Sequence, residues 1–396
     1  MTGLGLDAQA SWDGLMKGAS PIERFTLFDP EGLSSPFGVQ LPDGAIDVFK
    51  EHIKPRRRKQ MTRGTMMSVV TARMAMEDSG LAESPAFDPG RTGAVVGATG
   101  TGYAPTGKET DRHRILRNMA SSPAAWISLA QKLKGPSFVV STACSSAAYA
   151  LAASMSLILD GTCDAVISGA ADSALTYLDV EGFCSLMALS DDVENMETAS
   201  RPFDARRSGF VMGEGGGMLV LESLEKARER GARIYAELSM PGLCSEAYNI
   251  MSPDPEGVNI ARAMELAVGN AGLDPGDIDY INAHGTSTPL NDLCETRAIK
   301  LLFSNRASEI PISSTKSLTG HCLSAAAGIE AVFSCLTLEK GIIPPTWHLE
   351  EPDPELDLDY VPDGPREANL KHVMSNSFAF GGQNAVCVFS KPGSAG

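Results

Sequence analysis

One cysteine and two histidines stand where the sequence could place reactive side chains, each at the junction of an apolar run and a helical pattern. Cys144 lies in VVSTACSSAA, after a strand-like run and at the opening of an Ala/Ser-rich helix. A thiol at a helix N-terminus meets unpaired backbone N–H groups and the positive end of the helix dipole, and both favour the nucleophilic thiolate. Its neighbours Ala143, Ser145 and Ser146 are small enough to admit a substrate. His284 lies in NAHGTSTPLND, directly after YINA, and glycine and three hydroxyl residues follow it, as in a site loop. His321 lies in SSTKSLTGHCLSAAAG, with Lys316 five residues before it and Glu330 nine after. Those two charges border an apolar helix, where an ion is tolerated only when paired. Ser377–Gly382 (SFAFGG) reads as an apolar strand running into paired glycines, which permit close approach of the backbone to a ligand. Each feature taken alone also has a plain structural reading: a buried thiol, a helix-capping histidine, a structural ion pair, a turn.

The elements that must hold these residues alternate along the chain. Residues 66–81 (MMSVVTARMAMEDSGL) have helical spacing and a glycine stop at Gly80. Residues 92–97 and 137–141 read as short buried strands, joined by strands at 165–169, 217–221, 280–283 and 385–389. Continuous apolar runs between helices predict strands covered on both faces, hence a layered α/β fold. One scheme occurs twice: a β run and an Ala/Ser-rich helix closed by Gly161, then a similar pair closed by Gly341. Helices that are apolar nearly all round belong at the centre of a protein, so two related halves packed back to back are expected.

Composition narrows the function classes. The 396 residues carry 33 basic and 49 acidic side chains, a net charge of −16, which disfavours wrapping a nucleic acid. Apolar residues at 43% exclude a disordered chain. No apolar stretch reaches the ~20 residues of a membrane span, and MTGLGLDAQASWDG has no basic stretch followed by an apolar run, so no leader is expected. Eight scattered cysteines without C-x-x-C spacing point to reduced thiols and a cytoplasmic protein, with no metal site. The Walker and G-x-G-x-x-G phosphate patterns are absent.

Taken together, GPSFVVSTACSSA, RPFDARRSGFVMGEGGGMLVLE, AYNIMSP, NAHGTSTPLND, SSTKSLTGHCLSAAAGIEA and SNSFAFGGQN, in this order and spacing, resemble the β-ketoacyl-acyl carrier protein synthases of the decarboxylating Cys-His-His type, near the KAS II branch. The resemblance runs almost end to end. It implies a thiolase-like five-layered αβαβα fold of two similar halves, residues 1–230 carrying the nucleophile and 231–396 the two histidines. It implies a decarboxylative Claisen condensation of an acyl thioester with malonyl-acyl carrier protein, in fatty acid or polyketide elongation, without cofactor. Cys144 would take the acyl group, and His284 and His321 would donate hydrogen bonds to the malonyl thioester carbonyl. Lys316 and Glu330 would hold His321, and the backbone N–H groups of Cys144 and Phe380 would form the oxyanion hole, with Phe380 as gate. Thr286 and Thr288 match pantetheine contacts, and Phe183 and Phe378 positions beside the acyl pocket. The partner would be a carrier protein with phosphopantetheine-linked groups, and the assembly a homodimer. The alternatives are a ketosynthase of specialised metabolism with a non-identical partner, or a catalytically silent subunit, against which the intact Cys144, His284 and His321 argue.

The basic run from Lys54 to Lys59, with Arg63, stands out in an acidic chain. Besides a solvated face, it reads as a dock for an acidic carrier protein, with Arg58, Lys59 and Arg63 as contacts. The sequence also departs from the family pattern. Ala379 stands where glycine is usual, Gln383 where threonine is frequent, Ser208 in place of aspartate and Asn249 in place of histidine. The family's first strand usually begins several residues ahead of TGLG, and the insert preceding Cys144 is short.

Overall fold

A computed structural model describes residues 1–99 and 112–394. The runs of small and β-branched residues form two main sheets, beside two small sheets of two strands each. The first contains β1 (Thr92–Gly97), β2 (Ser137–Val140), β3 (Ala165–Asp172) and β4 (Gly215–Glu222). Its order is β2-β1-β3-β4, parallel throughout except for the antiparallel β3–β4 pair. The second contains β5 (Tyr280–Asn282), β6 (Ile312–Ser313), β7 (His372–Phe378) and β8 (Gln383–Ser390) in the order β6-β5-β7-β8. Here too the first three are parallel and the last pair antiparallel. Short strands Glu237–Leu238 and Gly242–Ser245 extend it beyond β8.

Helices complete five layers, αβαβα. On the outer face of the first sheet, α1 (Arg63–Ser79) buries Val70 with Ala94 and Ile167. On the outer face of the second, α3 (Val258–Asn270) and α4 (Pro289–Phe303) bury Met264 and Ile299 with Ile281 and Val388. Between the sheets lie α2 (Ser146–Leu159) and α5 (Ala326–Lys340), the two Ala/Ser-rich helices of the repeated scheme. Their small side chains have a steric cause. A Cβ at Gly217 on β4 would stand 2.3 Å from the Gly328 carbonyl of α5, and one at Gly97 would stand 2.7 Å from backbone atoms at the start of α2. Strand and helix therefore touch backbone to backbone.

The internal repeat extends to backbone detail. Ala143 and Leu323, both non-glycine, adopt φ 47° and φ 46°. Each opens a 3-10 turn, Ala143–Ser145 and Leu323–Ala325, that leads into a central helix. Such conformations cost an L-residue roughly 1–3 kcal/mol and persist only where the surroundings fix them.

Three expectations are corrected. The helix read at 66–81 begins at Arg63, because the Thr62 hydroxyl accepts the Thr65 N–H as its cap, and it ends at Ser79, before Gly80. The 137–141 run is not buried: among the described residues β2 is an edge strand with one neighbour, and Phe138 is 38% exposed. The apolar strand read at 377–382 ends at Phe378 and begins at His372. Its polar half escaped notice because those side chains are buried in pairs, His372 Nδ1 with Ser390 Oγ and Asn376 Nδ2 donating to Glu295.

Candidate active site

The first half supplies Cys144 at the end of β2. The second supplies His284 after β5, His321 before α5, and the turn after β7. Together they enclose a cavity of about 430 Å³, lined by Cys144, His284 and His321 with Phe183, Thr286, Thr288, Phe378 and Phe380. Lys316 and Glu330 lie buried behind it, and Arg58, Lys59 and Arg63 do not border it.

Cys144 sits in the 3-10 turn, one turn ahead of the helix proper, with Sγ 3.1 Å from Nε2 of His321. Backbone N–H groups of Phe380 and of Cys144 itself also reach the sulfur. Burial pushes the thiol up to about 12, and the Lys316 charge and the two N–H groups only partly oppose it. This corrects the thiolate inferred from the helix terminus: the resting group is a thiol, and the N–H groups are placed for the charge that develops during reaction.

Lys316 is corrected as well. Its ammonium donates to the His284 carbonyl (2.6 Å), faces Nδ1 of His284 (3.3 Å) and pairs with Glu330. It therefore holds His284, not His321. An ammonium on Nδ1 makes that nitrogen the acceptor and leaves Nε2 of His284 as the N–H donor. His321 Nδ1 is buried without a partner among the described residues. An orphaned lone pair is more tolerable than an orphaned N–H, which places the His321 proton on Nε2, toward the sulfur. Burial, and then the Lys316 charge, hold both imidazoles well below the usual histidine range, so both are neutral donors at neutral pH. Their rings meet edge to face at 5.4 Å, Phe378 lies against His284 at 5.6 Å, and Phe210 against His321 at 5.2 Å, backed by Phe183 at 5.5 Å.

Sequence reasoning missed Glu295. Its carboxylate accepts the N–H groups of His284 and Gly285, both at 2.8 Å, and the Asn376 amide at 2.9 Å, and so clamps the histidine loop from beneath. Asp292, one turn earlier on α4, accepts the Phe203 N–H. The signal was present: Asp292, Glu295, Ile299 and Phe303 share the buried stripe of α4. Two acids on an apolar helix face require partners.

At the mouth, Phe380 is 36% exposed and precedes Gly381 and Gly382, whose φ values of 89° and 74° demand glycine. Gln383 folds back over Gly381. The departures Ser208 and Asn249 both line the cavity; Ser208 Oγ lies 2.9 Å from Ser190 Oγ, and Asn249 Oδ1 accepts the N–H groups of Met251 and Ser252. Thr286 and Thr288 hydroxyls are 2.8 Å apart. Arg63 is removed from the set of docking cations, because its guanidinium binds Glu214 through two 2.6 Å contacts and is turned inward.

The buried Lys316–Glu330 pair yields a stability prediction. Lys316→Met is expected to lose about 3–5 kcal/mol, because it strands the Glu330 carboxylate in the core. Adding Glu330→Gln should restore most of that loss in urea unfolding; equal stability of the single and double variants would show that the pair is not coupled.

A buried cysteine faced by two neutral imidazole donors and two backbone N–H groups defines a covalent acyl-transfer site of the condensing-enzyme class. Residues 1–227 match the Beta-ketoacyl synthase, N-terminal domain, and residues 235–350 the Beta-ketoacyl synthase, C-terminal domain, and the chain belongs to this family. A 3-oxoacyl-[acyl-carrier-protein] synthase 2 of Staphylococcus aureus is 38% identical over 405 residues, covering 98% of this chain and 95% of the relative. The solved structure of the ishigamide ketosynthase/chain length factor is 32% identical with a TM-score of 0.89, over 99% of this chain and 97% of that one. A type II PKS acyl-carrier protein in complex with its ketosynthase bound to the hexaketide aligns at 31% identity and a TM-score of 0.85, over 98% and 96% of the two chains. The thiolase-like fold and the acyl-transferring class expected from the sequence are those of these relatives.

Proposed function

We propose that the chain elongates an acyl thioester by decarboxylative condensation with malonyl-acyl carrier protein, releasing a 3-oxoacyl-acyl carrier protein. The observation that carries this reading is the convergence of Cys144 Sγ, His321 Nε2 and the N–H groups of Cys144 and Phe380 at one point of the cavity. Cys144 attacks the acyl thioester carbonyl, the oxyanion takes the two N–H groups, and the pantetheine thiol leaves with the proton. Malonyl thioester then enters along Thr286 and Thr288. Its carboxylate leaves as CO₂, and the electron pair moves into the enolate, whose oxygen accepts from Nε2 of His284 and of His321. The enolate carbon attacks the acyl-Cys144 carbonyl, the carbon–sulfur bond breaks with the electron pair going to sulfur, and the thiolate released takes a proton from water to return the thiol. Lys316 and Glu330 fix the His284 tautomer, Phe183 and Phe378 wall the acyl pocket, and Phe380 gates it. Mass spectrometry after mixing with acyl- and then malonyl-carrier protein tests this: Cys144 should gain the acyl mass, then lose it as the 3-oxo product appears.

The protein works in the cytoplasm on this reading; no helix among the described residues is long and apolar enough to cross a membrane. The exposed edge β2 and Phe138 support pairing with a second chain, a homodimer in the primary reading. The relative named as a ketosynthase/chain length factor favours, as a second reading, specialised metabolism and a non-identical partner. Native mass spectrometry of the isolated chain separates the two.

Carrier docking is assigned to Arg58 and Lys59. None of the cations from Lys54 to Lys59 has an ion-pair partner among the described residues, and Arg57 lies 5.9 Å over the Trp126 ring. Reversing Arg58 and Lys59 to glutamate should lower kcat/KM for carrier-protein substrates and spare small pantetheine thioesters. Exposed pairs contribute ~0.2–1 kcal/mol each, and screening sets in beyond roughly 8 Å at physiological salt. The deficit should therefore shrink at high salt; equal losses for both substrate types would place docking elsewhere.

A further inference from the structure

Among the described residues, no side chain orients the His321 ring through Nδ1, which is buried without a partner, and Phe210 and His284 meet the ring only edge to face. A histidine that donates at one nitrogen is ordinarily aimed by a hydrogen bond at the other. The direction of Nε2 toward Cys144 Sγ therefore has to come from the backbone on either side of His321. On one side the anchor is plain: the His321 N–H donates to the Val211 carbonyl (2.7 Å), and the His321 carbonyl accepts the Gly213 N–H (3.0 Å). On the other side the chain passes through Cys322 into the turn Leu323–Ala325, whose first residue holds φ 46°. A non-glycine residue stays in that conformation only where its surroundings fix it.

The internal repeat leads to the group that fixes it. Ala143 and Leu323 are equivalent, so Ser324 holds in the second half the place that Cys144 holds in the first. Ser324 is fully buried, and both its Oγ (2.5 Å) and its N–H (3.3 Å) donate to Oδ2 of Asp172. Asp172 ends β3 in the first half and is buried there. The same oxygen accepts from Oγ1 of Thr99 (2.8 Å), a residue that lines the catalytic cavity. Resting on the reading that His321 serves the Cys144 reaction, we infer that Asp172 is a positioning residue: through Ser324 it fixes the turn behind His321 and so aims Nε2 at the sulfur. It does for His321 what Glu295 does for the loop of His284. Its hydrogen bonds to charged oxygen are of the stronger kind, and they join the half that carries the nucleophile to the half that carries the histidines.

The test measures single-turnover acyl loading and condensation of the full-length protein with acyl- and malonyl-carrier protein. A misplacement of ~1 Å can cost on the order of 10²-fold, and loss of one tie displaces less, so Asp172→Ala should slow both steps roughly 10-fold and Ser324→Ala about 5-fold. Asp172→Asn keeps an acceptor oxygen and should recover most of the loss. If it is as slow as Asp172→Ala, charge and not the tie is at work, and the aiming role fails. The decisive measurement repeats Asp172→Ala in the His321→Ala background. A residue that works through His321 has nothing left to aim there, so the added loss should stay under about 2-fold. A purely structural role would carry its whole loss into that background, and that result overturns the inference, as do parent rates in both Asp172→Ala and Ser324→Ala. Should Asp172→Ala not fold, Ser324→Ala, which keeps the carboxylate, takes its place in the same cycle. Absence of acyl uptake by the parent protein would instead overturn the acyl-transfer reading on which the inference rests.

Discussion

Cys144→Ala is expected to abolish acyl uptake from carrier-protein and pantetheine thioesters, a loss on the order of 10³-fold or more in loading rate. Seven other cysteines remain in that variant, but none shares its surroundings. Cys144 alone combines an imidazole at 3.1 Å, two backbone N–H groups and a wall position in the cavity. Intact-mass measurement settles it: full acylation of the variant at another cysteine would remove Cys144 from the reaction. The same thiol carries a pH signature. Its proton is held up to about 12 by burial, so the thiolate fraction rises with pH throughout the working range. Alkylation by iodoacetamide at Cys144 should accelerate nearly tenfold per unit between pH 7 and 10 without levelling, since the rate follows the thiolate. A plateau below pH 9 would mean that the N–H groups and Lys316 outweigh burial in the resting state.

What the sequence made legible and what it hid divide along a physical line. Cys144, His284 and His321 could be found because reactive side chains at strand ends, among small and hydroxyl residues, break the apolar pattern of a buried layer. The central helices could be found because α2 and α5 lack a polar face, and their small residues now have a cause in the contact of Gly217 with Gly328. Two things were not legible. The first is partner choice among buried charges. The family resemblance implied that Lys316 holds His321, five residues on, yet Lys316 reaches across to His284, 32 residues back, because β5 and β6 are adjacent and parallel. The second is the cost of desolvation. A helix terminus stabilises a thiolate only as far as burial allows, and the depth of Cys144 cannot be read from its neighbours in the chain. Arg63 teaches the same lesson from the surface: in sequence it extends a basic run, whereas in the fold it neutralises the buried Glu214.

The corrected partnership separates the two histidines in a way that kinetics can resolve. His321→Ala removes the donor that touches Cys144 Sγ, so it should slow acyl loading as well as condensation. His284→Ala removes a donor that no contact links to the sulfur and should leave loading near the parent rate. Condensation should fall on the order of 10²–10³-fold in each, the loss typical of one donor to a developing oxyanion. Lys316→Ala should follow the His284 pattern in condensation, because its ammonium fixes the His284 tautomer and its contacts are with the His284 ring, the His284 carbonyl and Glu330, and should slow loading only modestly, through the lost effect of its charge on the Cys144 thiol. Removing both histidines should cost less than the product of the single losses, since the two N–H groups serve one oxygen and neither acts fully without the other. Single-turnover loading, followed by quenched-flow measurement of CO₂ release, gives both rates for every variant. If Lys316→Ala slows loading as much as His321→Ala does, the lysine acts on the Cys144 side of the site, and its assignment to His284 fails.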